Sequence, residues 1–233
     1  MPRSIIIEGL IAAGKTTIAK ELAAALGPKT LLLLEPAEGE EMANPYMKDY
    51  YKDPAAYSFK MQMFLLNKRH GFHKYAQQHV VGGHGDAVLD RGLYGDVSFA
   101  NVQRRMKIMD DRDYATYRDH YKNITAGVLF PNFCIRMLVS PETSLERIKA
   151  RMVEKVGREC EVGVSIEYLR MLDEEIDGVM TYLRSQGVVV LDVPWDTERE
   201  DQNARQLAVS ALRDRILSHR IHDPFQSLHS RTM

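Results

Sequence analysis

Five apolar runs punctuate the chain, at Ser4–Glu8, Thr30–Glu35, Ala87–Asp90, Phe133–Val139 and Val188–Val193, and the intervals between them carry helical periodicity. The runs are nearly continuous rather than alternating. Strands apolar on both faces belong in a sheet covered on both sides, and strands separated by helices imply βαβ crossovers. The pattern predicts an α/β fold: a doubly wound, parallel five-stranded sheet flanked by helices, in one domain over residues 1–220. Boundary residues agree. Gly27-Pro28 stops the first helix, Thr17 to Leu26; Pro54 opens a long one reaching Gln78; Val81-Gly82-Gly83-His84-Gly85 turns into the third strand. Ser140-Pro141-Glu142 reads as an N-cap with proline at the first helical position, and Gly187 closes a helix that begins near Ser165. Residues 221–233 are polar and unpatterned, which predicts a flexible tail.

Between the first run and the first helix stands Gly9-Leu10-Ile11-Ala12-Ala13-Gly14-Lys15-Thr16, which satisfies GxxxxGK[ST]. The glycines let the backbone turn tightly enough for its N–H groups to face a β-phosphate. Lys15 adds a mobile positive charge and the Thr16 hydroxyl a ligand for Mg²⁺. A plain Gly-rich turn would not need the Lys-Thr pair as well. Gly9, Ala12, Ala13, Gly14, Lys15, Thr16 and Thr17 are thus the candidate nucleotide-phosphate site.

In an open α/β sheet the ligand crevice lies beyond the carboxyl ends of the strands. The second run ends at Glu35-Pro36 and the third at Asp90-Arg91, so both acids emerge beside Lys15. Acids after strands also cap helices. Two at corresponding strand ends beside a phosphate loop fit catalysis better: Glu35 as general base, Asp90 with Thr16 on the metal side, and Arg91 as a clamp for charge on a transferring phosphoryl group. Farther on, Arg147 and Arg151 are i, i+4 on one helix face, and Arg158 follows the hinge-like Val156-Gly157. These arginines predict a lid, residues 151–163, closing over a triphosphate.

Composition narrows the partners. Lys+Arg 31 against Asp+Glu 32 leaves a net charge of -1, without the basic field that holds polymeric nucleic acid. Two cysteines, Cys134 and Cys160, are too few for a disulfide framework and match no zinc spacing. No run approaches the roughly 20 apolar residues of a membrane span, and the first strand starts too early for a targeting peptide. The expectation is a cytoplasmic protein that acts on small molecules, away from membranes.

On these motifs the chain resembles the deoxynucleoside kinase family, the enzymes similar to deoxycytidine and deoxyguanosine kinases, from Ser4 to Val193. The segment Glu8 to Thr17 is close to the family's phosphate loop. Glu35-Pro36 matches the family's Glu-Pro, whose Glu deprotonates the sugar 5′-hydroxyl, and Asp90-Arg91-Gly92 stands where the family has Glu/Asp-Arg-Ser, with Gly92 in place of the serine. Arg147, Arg151, Arg158 and Glu161 match the lid, with extra residues between Met152 and Gly157. The resemblance implies a P-loop kinase fold, ATP as donor with Mg²⁺, and a homodimer through the helices of residues 54–79 and 95–125. Tyr51 and Glu161 fall where the family contacts the 3′-hydroxyl.

The same comparison puts Gln62 on the amide edge of the nucleobase, with Arg69 and Asp96 facing its exocyclic groups. Arg69 follows Gln62 by two helical turns and so projects from the same face. A pair of this kind goes with deoxypurine or deoxycytidine acceptance over thymidine, although a simple salt bridge would show the same spacing. Tyr57, Phe59, Met61 and Phe99 or Met106 are candidate pocket walls, and at helical spacing also candidate core. Two rival readings share part of the pattern. A nucleoside monophosphate kinase of the thymidylate type should add cations for an acceptor phosphate; a non-catalytic subunit of an assembly should have lost Lys15, Thr16, Glu35 or Arg91, and all four are present.

Overall fold

The computed structural model describes residues 1–35, 44–154, 163–196 and 201–220. All five expected strands form: β1 (Ser4–Gly9), β2 (Leu31–Leu33), β3 (Ala87–Asp90), β4 (Phe133–Leu138) and β5 (Val189–Pro194). They make one parallel sheet in the order β2-β3-β1-β4-β5. Its central strand explains the unbroken apolar runs. Ile5 and Ile7 enter one core with Ile18 and Leu22 of α1 (Lys15–Leu26) and Leu212 and Ile216 of α8 (Gln202–Ser218). Ile6 enters the opposite core with Leu66 of α3 (Pro54–Val81), Ala100 of α4 (Asp96–Arg105) and Ile176 of α7 (Ile166–Ser185). With side chains alternating between faces, both faces must be apolar, and each fully buried Ile contributes roughly 1.5–3 kcal/mol. β2 is shorter than the Thr30–Glu35 run: it pairs only with β3, which is itself four residues long.

The remaining helices are α2 (Met47–Lys52), α5 (Asp111–Thr125) and α6 (Pro141–Glu154). The expected cap is in place, with Ser140 Oγ accepting the Thr143 N–H; Asp53 Oδ1 likewise accepts the Ala56 N–H and Ser165 Oγ that of Tyr168. The 95–125 stretch is two helices. Lys107 takes a left-handed φ of 58°, and Asp110 then caps α5 by accepting the Asp113 N–H. Among the described residues no helix is long and apolar enough to cross a membrane. Pro36, Arg158, Glu161, most of the expected lid and the expected tail lie outside the described residues.

Candidate active site

The loop between β1 and α1 ends at Gly14, the α1 N-cap, with φ 92°, a left-handed conformation that glycine adopts without strain. A Cβ there would also lie 3.1 Å from the indole nitrogen of Trp195, the chain's one tryptophan. Among the described residues α1 has no side-chain cap and no acid in its first turn, so its first N–H groups remain available to a phosphate. Lys15 is buried and donates to the Gly9 and Leu10 carbonyls. Burial, with repulsion from Arg91, brings its ammonium down to about 7 against the pull of Asp90, Glu35 and Glu8. An arriving polyphosphate would favour the charged form.

The Thr16 hydroxyl donates to Asp90 Oδ2. Asp90 Oδ1 is buried with no hydrogen-bond partner among the described residues, and burial raises this carboxyl above its ordinary value. A hydroxyl and a carboxylate with a spare oxygen are hard donors and fit Mg²⁺, which keeps several waters and phosphate oxygens of its own. Among the described residues no cluster of three His, Cys, Asp or Glu could hold a metal unaided.

From this loop a cleft of about 750 Å³ runs to the faces of α2, α3 and α4. Four elements meet there. Glu35 follows β2, Arg69 comes from α3, Arg91 follows β3, and Asp96 opens α4. Arg69 pairs with both Glu35 and Asp96, while Arg91 Nε meets Glu35 Oε2 at 3.2 Å. Burial pushes the Glu35 carboxyl up, but the charges of Arg69 and Arg91 outweigh it and bring the group to about 2. Asp96 is fixed from the other side, by Gln62 Nε2 at 2.7 Å and the Tyr117 hydroxyl at 2.5 Å. Both guanidinium groups lie over the Phe99 ring, at 5.6 and 4.8 Å. Arg91 itself sits at φ 69°, a costly conformation for a non-glycine residue.

Tyr51, Gln62 and Arg151 line the same cleft. Arg147 turns elsewhere and donates to the Trp195 and Asp196 carbonyls at 2.8 and 2.9 Å, tying α6 to the turn after β5. Of the aromatic and Met candidates, Met61 and Phe99 line the cleft. Phe59 packs against the core, Tyr57 lies under Lys60, and Met106 is 37% exposed. Tyr50 and Tyr168 line the cleft in their place, brought there by α2 and α7.

One further acid has no assigned role in the sequence reading. Glu8, on β1, is 1% exposed, accepts the Gly92 N–H at 2.8 Å and faces Arg91 at 3.6 Å. Burial raises its pKa, against the pull of Arg91 and the Gly92 N–H. A Cβ on Gly95 would overlap this carboxylate, and one on Gly92 would lie 2.8 Å from Ile6 Cδ1. A side chain at position 92 would therefore require Ile6 to shift. An acid inside an apolar strand, followed by the phosphate loop, was the available signal.

This geometry agrees with the comparisons. The sequence profile described as deoxynucleoside kinase matches residues 5–215. A deoxyadenosine kinase of Dictyostelium discoideum is 34% identical over 94% of this chain and 83% of its own. A deoxyadenosine/deoxycytidine kinase of Bacillus subtilis is 32% identical over 70% of each chain. Among solved structures, the deoxyadenosine kinase of M. mycoides with bound dATP superposes with a TM-score of 0.69 at 30% identity, covering 90% of this chain and 98% of that one. With fold, phosphate loop and profile in agreement over most of its length, the chain belongs to the deoxynucleoside kinase family.

Proposed function

We propose that the protein transfers the γ-phosphate of ATP to the 5′-hydroxyl of a deoxynucleoside, and that it accepts deoxyadenosine, deoxyguanosine or deoxycytidine in preference to thymidine. The observation that carries this reading is the charge balance at the far end of the cleft. Arg69 and Arg91 are each already paired with carboxylates, Glu35, Asp96 and Glu8. A neutral nucleoside enters such a site at little electrostatic cost; an acceptor bearing a phosphate would meet no spare cation in this cluster. That disfavours the thymidylate-type reading, and the intact set Lys15, Thr16, Glu35 and Arg91 disfavours a non-catalytic role.

In this reading the Glu35 carboxylate accepts the 5′-hydroxyl proton as the sugar oxygen attacks. Lys15 and the loop amides hold the polyphosphate, and Arg91 and Arg151 oppose the charge that develops on the transferring group. Thr16 and Asp90 would hold Mg²⁺, which when bound supplies neutralisation of the phosphate oxygens. Gln62, Arg69 and Asp96 offer donors and an acceptor to the nucleobase edge, and Tyr51 lies by the sugar. An ADP-coupled assay across the four deoxynucleosides and their monophosphates tests the reading. Turnover should appear with nucleosides and rank thymidine last; turnover confined to monophosphates, or thymidine ranked first, would reject it.

A further inference from the structure

Arg69 does more than face a nucleobase. It is 6% exposed, and its two terminal nitrogens reach different carboxylates: Nη1 donates to Asp96 Oδ2 and Nη2 to Glu35 Oε1. The two acids are held very differently. Asp96 has independent anchors in Gln62 and Tyr117. Glu35 is partly open to the cleft, and its other oxygen faces Arg91. Both Glu35 oxygens are thus engaged by guanidinium donors, and a carboxylate held in this way is a weak proton acceptor. The Nε–H of Arg69 has no hydrogen-bond partner among the described residues, and the guanidinium lies 5.6 Å over the Phe99 ring.

We propose that Arg69 is a latch that couples nucleobase recognition to release of the catalytic base: without substrate it holds Glu35 through Nη2, and an acceptor atom on the base edge draws the guanidinium away, freeing Oε1 for the 5′-hydroxyl. This rests on the kinase reading above. Arg69 keeps its anchor on Asp96 throughout, so one contact is exchanged for another and no buried charge is stranded. With Oε1 free, the hydroxyl proton passes to Glu35 while the O5′–Pγ bond forms. The bond from Pγ to the bridging oxygen breaks, and its electron pair leaves with ADP. A base without an acceptor edge leaves Arg69 on Glu35. Discrimination then falls on the transfer step as well as on binding.

The test compares single-turnover transfer rates at saturating ATP·Mg²⁺ and saturating acceptor. One acceptor is the best deoxynucleoside. The other is its analogue with a phenyl ring in place of the base, which keeps stacking but has no polar edge. In wild type the phenyl analogue should transfer at least about 100-fold more slowly, the scale of general-base catalysis. In Arg69→Met the two rate constants should agree within a few-fold, although binding of the natural nucleoside weakens. Arg69→Lys serves if the methionine variant does not fold. Its compact ammonium cannot span both carboxylates, so the gap should narrow there too. In Glu35→Gln, where no base remains to release, the gap should disappear. Equal wild-type rate constants with all discrimination in binding, or an undiminished gap in the Arg69 variants, would overturn the latch. Absence of transfer to any deoxynucleoside would instead reject the kinase reading itself.

Discussion

The two ends of the cleft are built on opposite plans. The donor end is one continuous loop running into α1, and its working groups are mostly backbone N–H groups with one lysine and one hydroxyl. The acceptor end takes side chains from five elements and interlocks them as ion pairs, two arginines against Glu8, Glu35 and Asp96. The contrast follows from the ligands. A polyphosphate brings its own charge and needs only oriented dipoles and a cation. A neutral nucleoside brings none, so the charged groups that act on it must neutralise one another while they wait.

If that contrast is right, the largest loss should come from the acceptor end. Glu35→Gln keeps the shape of the site but removes the proposed proton acceptor, so kcat should fall by about 10²–10⁴ with nucleoside KM little changed. Near-normal turnover would place the base elsewhere. Arg151→Ala probes the donor side and should lower kcat and kcat/KM together, by about 10²–10³ if the arginine acts mainly in the transition state. A raised KM for ATP at unchanged kcat would make it a ground-state contact instead.

A smaller shift is expected in specificity. Arg69→Met with Asp96→Ala removes the polar edge and opens room for a 5-methyl group. With each unpaired polar contact worth about 1–3 kcal/mol, relative kcat/KM should swing toward thymidine by at least roughly tenfold. An unchanged ranking across the four nucleosides would show that the pair does not read the base. Catalysis should change least in a variant that tests the foundation of the cluster. Gly95→Ala crowds the Glu8 carboxylate, and overpacking of this kind costs about 1–3 kcal/mol, a few degrees in Tm. Glu8→Ala, which itself strips Arg91 and the Gly92 N–H of a buried partner, should cost less Tm in the Gly95→Ala background than in wild type; simple additivity of the two changes would mean that the contact is not the cause.

Much of the fold was legible in the chain because its signals act over a few residues. Strands buried on both faces read as unbroken apolar runs, and Ser140, ahead of Pro141, marks a helix start through a bond to the residue three positions on. The phosphate loop is contiguous for the same reason: one turn of backbone must wrap one anion. The resemblance of the motifs to a known family supplied Gln62, Arg69 and Asp96, which periodicity alone would have left as one polar helix face and a helix N-terminus.

Other features had no local signature. The break at Lys107 sits inside a stretch that reads as helical throughout, and the short β2 is matched to its one partner, the four-residue β3. Gly92 looks in sequence like a missing hydroxyl, yet a side chain there would press against the Ile6 side chain, which would have to shift.

By itself, then, the sequence determined the element order, the parallel α/β class, the phosphate loop and the strand ends that bear Glu35 and Asp90. Each depends on residue spacing within one or two turns of chain. Only the tertiary structure decided that Glu8 sits against Gly95 and Arg91, that Arg147 braces the turn after β5, and that Arg69 joins Glu35 to Asp96. Those partners lie far apart in sequence. Their distances are set by strand order and by which face of α3 and α4 turns to the sheet, and an ion pair of this kind leaves no periodic trace in the chain that makes it.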